Sequence, residues 1–229
     1  MGLQYKTSSK ITYTLAAAYY DYQNVQGRLN PGTATTAYEE EEYNQMAPKF
    51  HQSGNTYFDV NFPLHSVAGD THDEVYALAS DFNEFNITGK VEIGIFDPIY
   101  ITFIADYVKN IGFDSNEVNS LTFDEYQTTI PEDTTGYLLG TSVGHQKMDK
   151  LWDWQVSLAY KYLEADAVLD AFTDSDFQLG GTNGKGWILG GQLGLAKNLW
   201  LRARWLSSDE ITGETTAIDT LHFDINSRF

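Results

Sequence analysis

The chain of 229 residues has no cysteine, only five prolines and few basic side chains. Without cysteine it can form neither a disulfide framework nor a thiolate metal site. Its 14 Lys and Arg residues stand against 32 Asp and Glu residues, which gives a formal net charge of −18. Because binding to phosphates requires clustered Lys and Arg, this balance predicts that nucleic acid is not a partner.

Long hydrophobic runs are also absent. No stretch approaches the roughly 18 uncharged apolar residues that a membrane helix needs, and the mean hydropathy is −0.36. The first residues show no charged segment followed by an apolar one, so we expect no signal peptide in this sequence. These absences exclude helical membrane proteins. They do not exclude membrane β-barrels, because half of each barrel strand faces polar surroundings and escapes detection by hydropathy.

The sequence is rich in aromatic residues and shows a repeated alternation. Aromatics make up 14% of the residues, with 15 Tyr and 13 Phe. Large apolar side chains occupy every second position over several segments, and a period of two places them on one face of a β-strand. This alternation predicts strands at about 10–23, 75–96, 99–111, 135–147, 151–164, 185–196, 198–208 and 217–229, with part of another strand at 2–6.

The connections between these strands alternate between tight turns and long polar loops. The long loops cover about 24–74, 112–134 and 165–184; the first, which includes 54–62, is expected outside the cell or in the lumen. Tight turns at one end and long loops at the other are typical of outer-membrane barrels. We therefore predict an all-β fold, an antiparallel up-and-down transmembrane β-barrel with about eight full strands in one domain over 1–229. Small inward residues and the incomplete strand at 2–6 suggest part of a larger barrel whose N-terminal strands are missing.

Charged residues at the polar positions of these strands are candidates for a pore lining, whose field selects among solutes. The alternative is that they are solvated, paired charges that stabilise a wet interior. The candidate pore-lining residues are Lys90, Glu92, Asp106, Asp153, Lys161, Arg202, Arg204, Asp224 and Arg228.

Aromatic residues fall near several predicted strand ends, where membrane barrels carry girdles at the level of the lipid headgroups. The alternative is the aromatic core of an ordinary β-sandwich. The candidate girdle residues are Trp152, Trp154, Tyr160, Tyr162, Trp187, Trp200, Trp205 and Phe229.

No pattern of catalytic or metal-binding residues stands out. The sequence lacks a nucleophile elbow, a phosphate-binding loop, a dinucleotide fingerprint and an HExxH motif. Four aspartates at 166–176 offer oxygen ligands, but their spacing is not that of a calcium loop. The glutamate run at 39–42 is interpreted as a solvated loop, with divalent bridges to lipopolysaccharide as the sharper alternative. The sequence therefore predicts no enzymatic activity, no metal and no cofactor.

Several stretches resemble the family of Gram-negative outer-membrane proteins called "putative porin". They lie at 15–22, 106–114, 162–187 and 204–211, and the third is the most specific. The resemblance implies an outer-membrane β-barrel through which small hydrophilic solutes diffuse. Members of that family are longer, with a signal peptide and further N-terminal strands, and no functional residues can be carried over by position.

We therefore expect a porin of the cell outer membrane that conducts small hydrophilic solutes or ions passively through a water-filled barrel. The expected partners are outer-membrane lipid, lipopolysaccharide and the barrel-assembly machinery, and a homo-oligomer is left open. The last nine residues, LHFDINSRF, alternate up to a terminal aromatic and resemble the signal which that machinery recognises. Two alternatives are a soluble, secreted β-sandwich binding module and a non-conducting structural barrel segment.

Overall fold

The computed structural model describes residues 1–29, 51–65, 74–213 and 216–228. Most of these residues lie in β-strands, and two α-helices and a 3-10 helix at Asp170–Phe172 interrupt the connections. The strands are β1 (Gly2–Lys6), β2 (Ile11–Tyr22), β3 (Tyr57–Asp59), β4 (Tyr76–Leu78), β5 (Phe82–Phe96), β6 (Ile99–Asn110), β7 (Thr135–Gly144), β8 (Trp154–Leu163), β9 (Gly184–Ala196), β10 (Leu199–Glu210) and β11 (Ala217–Ser227). The α-helices are α1 (Phe62–His65) and α2 (Ser115–Tyr126).

Nine of the strands form one antiparallel sheet in the order β1-β2-β5-β6-β7-β8-β9-β10-β11. Each strand pairs with its neighbour in sequence, apart from the small insertion of β3 and β4. The predicted all-β antiparallel fold and its strand order are thus confirmed. The sheet is open, with β1 and β11 at its two edges, so closure into a barrel stays a prediction.

The long connections contain more structure than their composition predicts. β3 and β4 pair in a separate two-stranded sheet, so the strand expected over 75–96 is broken before β5. The predicted loop at 112–134 contains the helix α2, and the expectation of a plain loop there is wrong. Asp114 caps this helix, because its side chain accepts hydrogen bonds from the backbone N–H groups of Asn116 and Glu117. No helix in the described ranges is both long and apolar enough to cross a membrane.

Alternation divides the large sheet into an apolar face and a polar face. On β7, Leu139 pairs with Ala105 and Tyr160 on the two flanking strands, so these three side chains share the apolar face. The next residue, Leu138, pairs with Asp106 and Lys161 on the opposite, polar face. Leu139 is 54% exposed although β7 is hydrogen-bonded on both sides. The apolar face is therefore uncovered even in the middle of the sheet.

Most of the buried apolar side chains lie in the long connections instead, although Leu163 on β8 and Leu206 on β10 are also buried. One cluster joins the small sheet to α2, and a second lies under the loop that follows β8. The members of the first cluster are Phe58, Val60, Ala77, Ala79 and Val118, and those of the second are Leu78, Phe82 and Leu169. The long connections thus form a packed cap at one end of the strands.

Candidate functional site

The candidate site is the polar face of the sheet where residues 164–183, the connection between β8 and β9, lie against it. We call this segment the inner loop. Arg204 on β10 donates a hydrogen bond of 2.6 Å from Nη2 to Oδ2 of Asp176 in the inner loop. His222 on β11 completes the group, with Nδ1 3.2 Å from Arg204 Nη2 and 3.4 Å from Asp176 Oδ2.

Strand register brings two of these three residues together. Arg204 and His222 are direct partners across the β10–β11 pair, and both point to the polar face. The Arg204 and Asp176 side chains are 21% and 33% exposed, so water screens their attraction less than it does at an open surface. Arg204 Nε is buried without a hydrogen-bond partner in the described part of the chain. The guanidinium is therefore held by one carboxylate and one imidazole.

Further contacts hold the inner loop on the sheet. Lys161 Nζ lies 4.7 Å from the centre of the Phe177 ring, which is almost fully buried. A cation over an aromatic face is attracted by the ring quadrupole. Gln178 Nε2 donates to the carbonyl of Thr216, just before β11. The inner loop thus crosses the polar face from β8 towards the β11 edge.

A buried polar network anchors the start of the inner loop to the cap. Asp166 accepts hydrogen bonds from the backbone N–H and the hydroxyl of Thr56, at 2.9 and 2.7 Å. Asn55 donates to the carbonyls of Ala165 and Val168. Burial raises the pKa of Asp166 to about 6, and the two Thr56 donors offset part of that shift. Asn55 and Thr56 belong to the connection between β2 and β3, which we call the first connection. The first connection and the inner loop therefore depend on each other for their polar contacts.

Asp170 ties the 3-10 helix into the same network. Its Oδ2 accepts the hydroxyl of Tyr57 at 2.9 Å and the backbone N–H of Gln52 at 2.8 Å. Burial raises the pKa of Tyr57, and the hydrogen bond to Asp170 raises it further. Both carboxylates of the network are thus engaged with groups of the protein, and no cluster of three or more His, Asp or Glu side chains in the described ranges is placed to hold a metal ion.

The other charged residues expected to line a pore lie at several places on the polar face. Lys90 Nζ and Glu92 Oε2 form an ion pair of 3.0 Å on β5. Asp106 accepts hydrogen bonds of 2.8 Å from Asn86 and Thr88, and both donors are neutral. A separate pairing places Arg202 directly across from Asp224 in the β10–β11 register.

Asp153 and Arg228 lie at the opposite end of the strands from the inner loop. Asp153 precedes β8 in a tight turn, where its Oδ2 accepts the backbone N–H groups of Asp149 and Lys150. His145 Nε2 lies 3.4 Å from Asp153 Oδ1. Arg228 forms an ion pair with Asp149 of the same turn. These two residues therefore organise the turn end of the sheet.

The expected girdle residues are spread more widely than the strand ends. Trp154 begins β8, and Trp152 precedes it in a turn with a backbone φ of 70°. Trp205 lies near the middle of β10, where its indole N–H donates to Asp219 at 3.0 Å. Trp200 shares the polar face with Arg202, because the two residues are two positions apart on β10.

The remaining girdle candidates lie towards the inner-loop end. Tyr162 stacks on Tyr137 with ring centroids 5.2 Å apart. Tyr160 and Trp187 meet edge to face at 4.9 Å, as direct partners across β8 and β9. Phe229 lies outside the described residues, as do the glutamates of 39–42.

Sequence reasoning missed the residues that join the inner loop to the sheet. The sequence offers Asp176 as an oxygen donor, and it gives no sign of a contact between Asp176 or Phe177 and the sheet. Alternation describes which face a strand residue occupies, but it does not say which loop residue will contact it. The only signal in the sequence is that the inner loop is rich in aspartate and that β10 carries two arginines.

Comparison with curated proteins and with solved structures finds no match. A family model described as "Putative porin" matches residues 1–229, the full chain. The chain, with its nine-stranded antiparallel sheet, therefore belongs to this porin family.

Proposed function

We propose that the sheet forms part of the wall of a β-barrel in the cell outer membrane. Small hydrophilic solutes or ions diffuse passively along its polar face. The observation that carries this proposal is the division of nine strands into one uncovered apolar face and one polar face. Membership of a porin family supports the same function at a general level.

The apolar face is the strongest physical support for a lipid environment. Leu139 and Val156 lie on neighbouring central strands and are 54% and 50% exposed. In a water-soluble domain such a face is covered by a second layer, because large contiguous apolar patches are rarely left in water. Lipid would supply that cover. A sheet can cross lipid only when its backbone groups are paired, so the barrel would also pair the free edges of β1 and β11.

The polar face is suited to a solute path. Small side chains occupy many of its positions on β7, β8 and β9, among them Gly140, Ser142, Ser157 and Gly190, and leave room in front of the sheet. The inner loop narrows this room where Asp176 meets Arg204. We assign the charged residues of the polar face to the pore lining and place Asp153 and Arg228 at the mouth on the turn side. Passive diffusion needs neither a catalytic group nor a cofactor.

The same proposal extends to the chain's surroundings. The apolar face contacts outer-membrane lipid, and Trp and Tyr residues towards the strand ends contact the headgroups. The cap, which carries the long polar connections, faces outward towards lipopolysaccharide. Trp205, near the middle of β10, is instead a candidate for the lipid-facing surface below the girdle.

The β-sandwich alternative needs a second layer over the apolar face. The small sheet of β3 and β4 packs with α2 in the cap. Neither buried cluster in the described ranges includes a side chain from the apolar face of the large sheet. No observation favours the sandwich, and we do not adopt it.

Single cysteines test the assignment of the two faces, because the natural chain has none. Val156→Cys and Ser157→Cys place a thiol on adjacent positions of β8, on the apolar and polar faces respectively. In lipid vesicles, a charged water-soluble thiol reagent should modify Ser157→Cys, and a quencher in the acyl chains should quench only a dye attached to Val156→Cys. Equal labelling and equal quenching of both variants would contradict the proposal.

A further inference from the structure

A cavity of about 570 Å³ lies on the polar face between β2, β5, β6, β8 and the inner loop. The side chains that matter for its chemistry are Tyr20, Tyr22, Phe172, Asp106, Asp174 and Lys161. The cavity is large enough for a small organic molecule. It is also separate from the contact between Arg204 and Asp176.

Three aromatic rings form one wall of this cavity. Tyr20 and Tyr22 stack with centroids 6.4 Å apart, and Tyr22 and Phe172 stack at 5.8 Å, with interplanar angles of 19° and 20°. Phe172 belongs to the 3-10 helix of the inner loop and is 74% exposed. Although Phe172 stacks on Tyr22, most of its ring therefore stays open to the cavity. The three rings therefore offer a continuous aromatic surface to a solute.

The charges around the cavity are predominantly negative. Among the described residues, Asp106 accepts hydrogen bonds from the neutral side chains of Asn86 and Thr88 and forms no ion pair. Asp174 accepts the backbone N–H of Asp176, which is also neutral. The single ammonium of the lining, Lys161, lies against Phe177 and is also attracted by Asp174, so it offsets only part of the negative charge. Glu84 is buried and accepts the backbone N–H of Leu169, which gives it a structural role.

From these contacts we propose that the cavity binds a small organic cation, an alkylammonium whose apolar groups lie on the three rings. The negative face of an aromatic ring attracts a cation, and the two carboxylates add to that attraction. An anion would meet repulsion from Asp106 and Asp174. A neutral sugar would gain the ring contact but nothing from the charges. The route by which the cation reaches the cavity depends on the proposed porin function, but binding in the cavity does not.

Binding is therefore measured in the absence of transport. Isothermal titration calorimetry of the full chain in a non-ionic detergent, with tetraethylammonium as the probe and sodium chloride as the matched salt, should show saturable binding. Glucose and benzenesulfonate should bind more weakly than tetraethylammonium. Phe172→Ala should weaken tetraethylammonium binding by about two- to fivefold, the range for exposed cation–π contacts. Asp174→Asn should weaken it by up to about fivefold, the range for exposed ion pairs.

The matched control is Phe123→Ala. Phe123 is an exposed ring on α2, 50% accessible and outside the cavity, so its removal should leave the affinity unchanged. No saturable binding of tetraethylammonium, glucose binding as tight as the cation, or equal losses in Phe172→Ala and Phe123→Ala would each overturn the inference. Conductance measured on the same preparation separates the two proposals, because a conducting protein without this binding retains the pore and loses only the site.

Discussion

The hydrogen bond from Arg204 Nη2 to Asp176 Oδ2, at 2.6 Å, joins a strand of the large sheet to a loop residue 28 positions earlier in the chain. It fixes the inner loop in front of the polar face at the place where β10 and β11 pair through Arg204 and His222. The contact therefore keeps the inner loop close to the polar face.

Breaking this contact should release the inner loop. We expect Asp176→Asn to lower the local stability of the loop by about 1–3 kcal/mol, because Asn keeps an acceptor oxygen but loses the negative charge that attracts the Arg204 guanidinium. Hydrogen exchange of the amides of 174–178 measures this loss as faster exchange. The control is Arg202→Gln, a change on the same strand and face that leaves Asp176 in place. Unchanged exchange in Asp176→Asn would mean that other contacts hold the loop.

A change of charge should affect membrane insertion strongly on one face of β10 and weakly on the other. Leu201 lies on the apolar face, paired with Leu193 and Ile225, while the adjacent Arg202 lies on the polar face. Leu201→Arg should impair insertion into lipid vesicles by about 2–4 kcal/mol, the cost of a cation near the middle of a bilayer. Arg202→Leu should have a much smaller effect. Equal insertion defects, measured by protease protection of the inserted protein, would refute the assignment of the faces.

The cap should be more stable in mild acid. The pKa of Asp166 is raised to about 6 in the folded cap, against about 3.9 in an unfolded chain. The contribution of Asp166 to the stability of the cap is therefore fully present below about pH 4 and is lost as the pH rises through about 6. It amounts to about 3 kcal/mol in total. The protection factor of the Thr56 amide, which donates to Asp166, should fall between about pH 4 and pH 7. Asp166→Asn has no charge to titrate, and an equally steep fall in this variant would contradict the explanation.

Replacing two glycines with alanine, one at a time, should change the stability of the protein in opposite directions. Gly181 has a φ of 89°, and a Cβ there would collide with the carbonyl oxygen of Ser53. Gly181→Ala should therefore destabilise the contact between the first connection and the inner loop by more than about 1 kcal/mol. Gly191 on β9 has no atom within 4 Å of a Cβ, so Gly191→Ala should be neutral or stabilise by up to about 1 kcal/mol. Denaturant unfolding in detergent measures both, and a Gly181→Ala protein as stable as the natural one would exclude this close approach.

The sheet could be predicted because the pattern that specifies its strands is local in the sequence. Alternation of large apolar and polar residues, as from Tyr137 to Val143, places strands and faces without any knowledge of distant contacts. The helix α2 was missed because the polar composition of 112–134 resembles a loop. Its signal was the pair of Asp114 and Glu117 at the spacing of a helix N-terminus.

The site was less predictable, because it depends on contacts between distant segments. Nothing in the local sequence of the inner loop indicates that Asp176 meets Arg204 or that Phe172 stacks on Tyr22. Trp200 illustrates a second limit. Its residue type suggests a headgroup anchor, but its position two residues from Arg202 places it on the polar face.

The central claim, passive conduction along the polar face, is tested most directly by current recordings of the purified chain in planar lipid bilayers. The account predicts discrete conductance steps, and it predicts larger steps in Asp176→Asn, where Arg204 holds the inner loop less tightly. Protein that inserts into the bilayer, as shown by acyl-chain quenching at Val156→Cys, yet gives no steps would contradict the account and identify the chain as a non-conducting barrel segment.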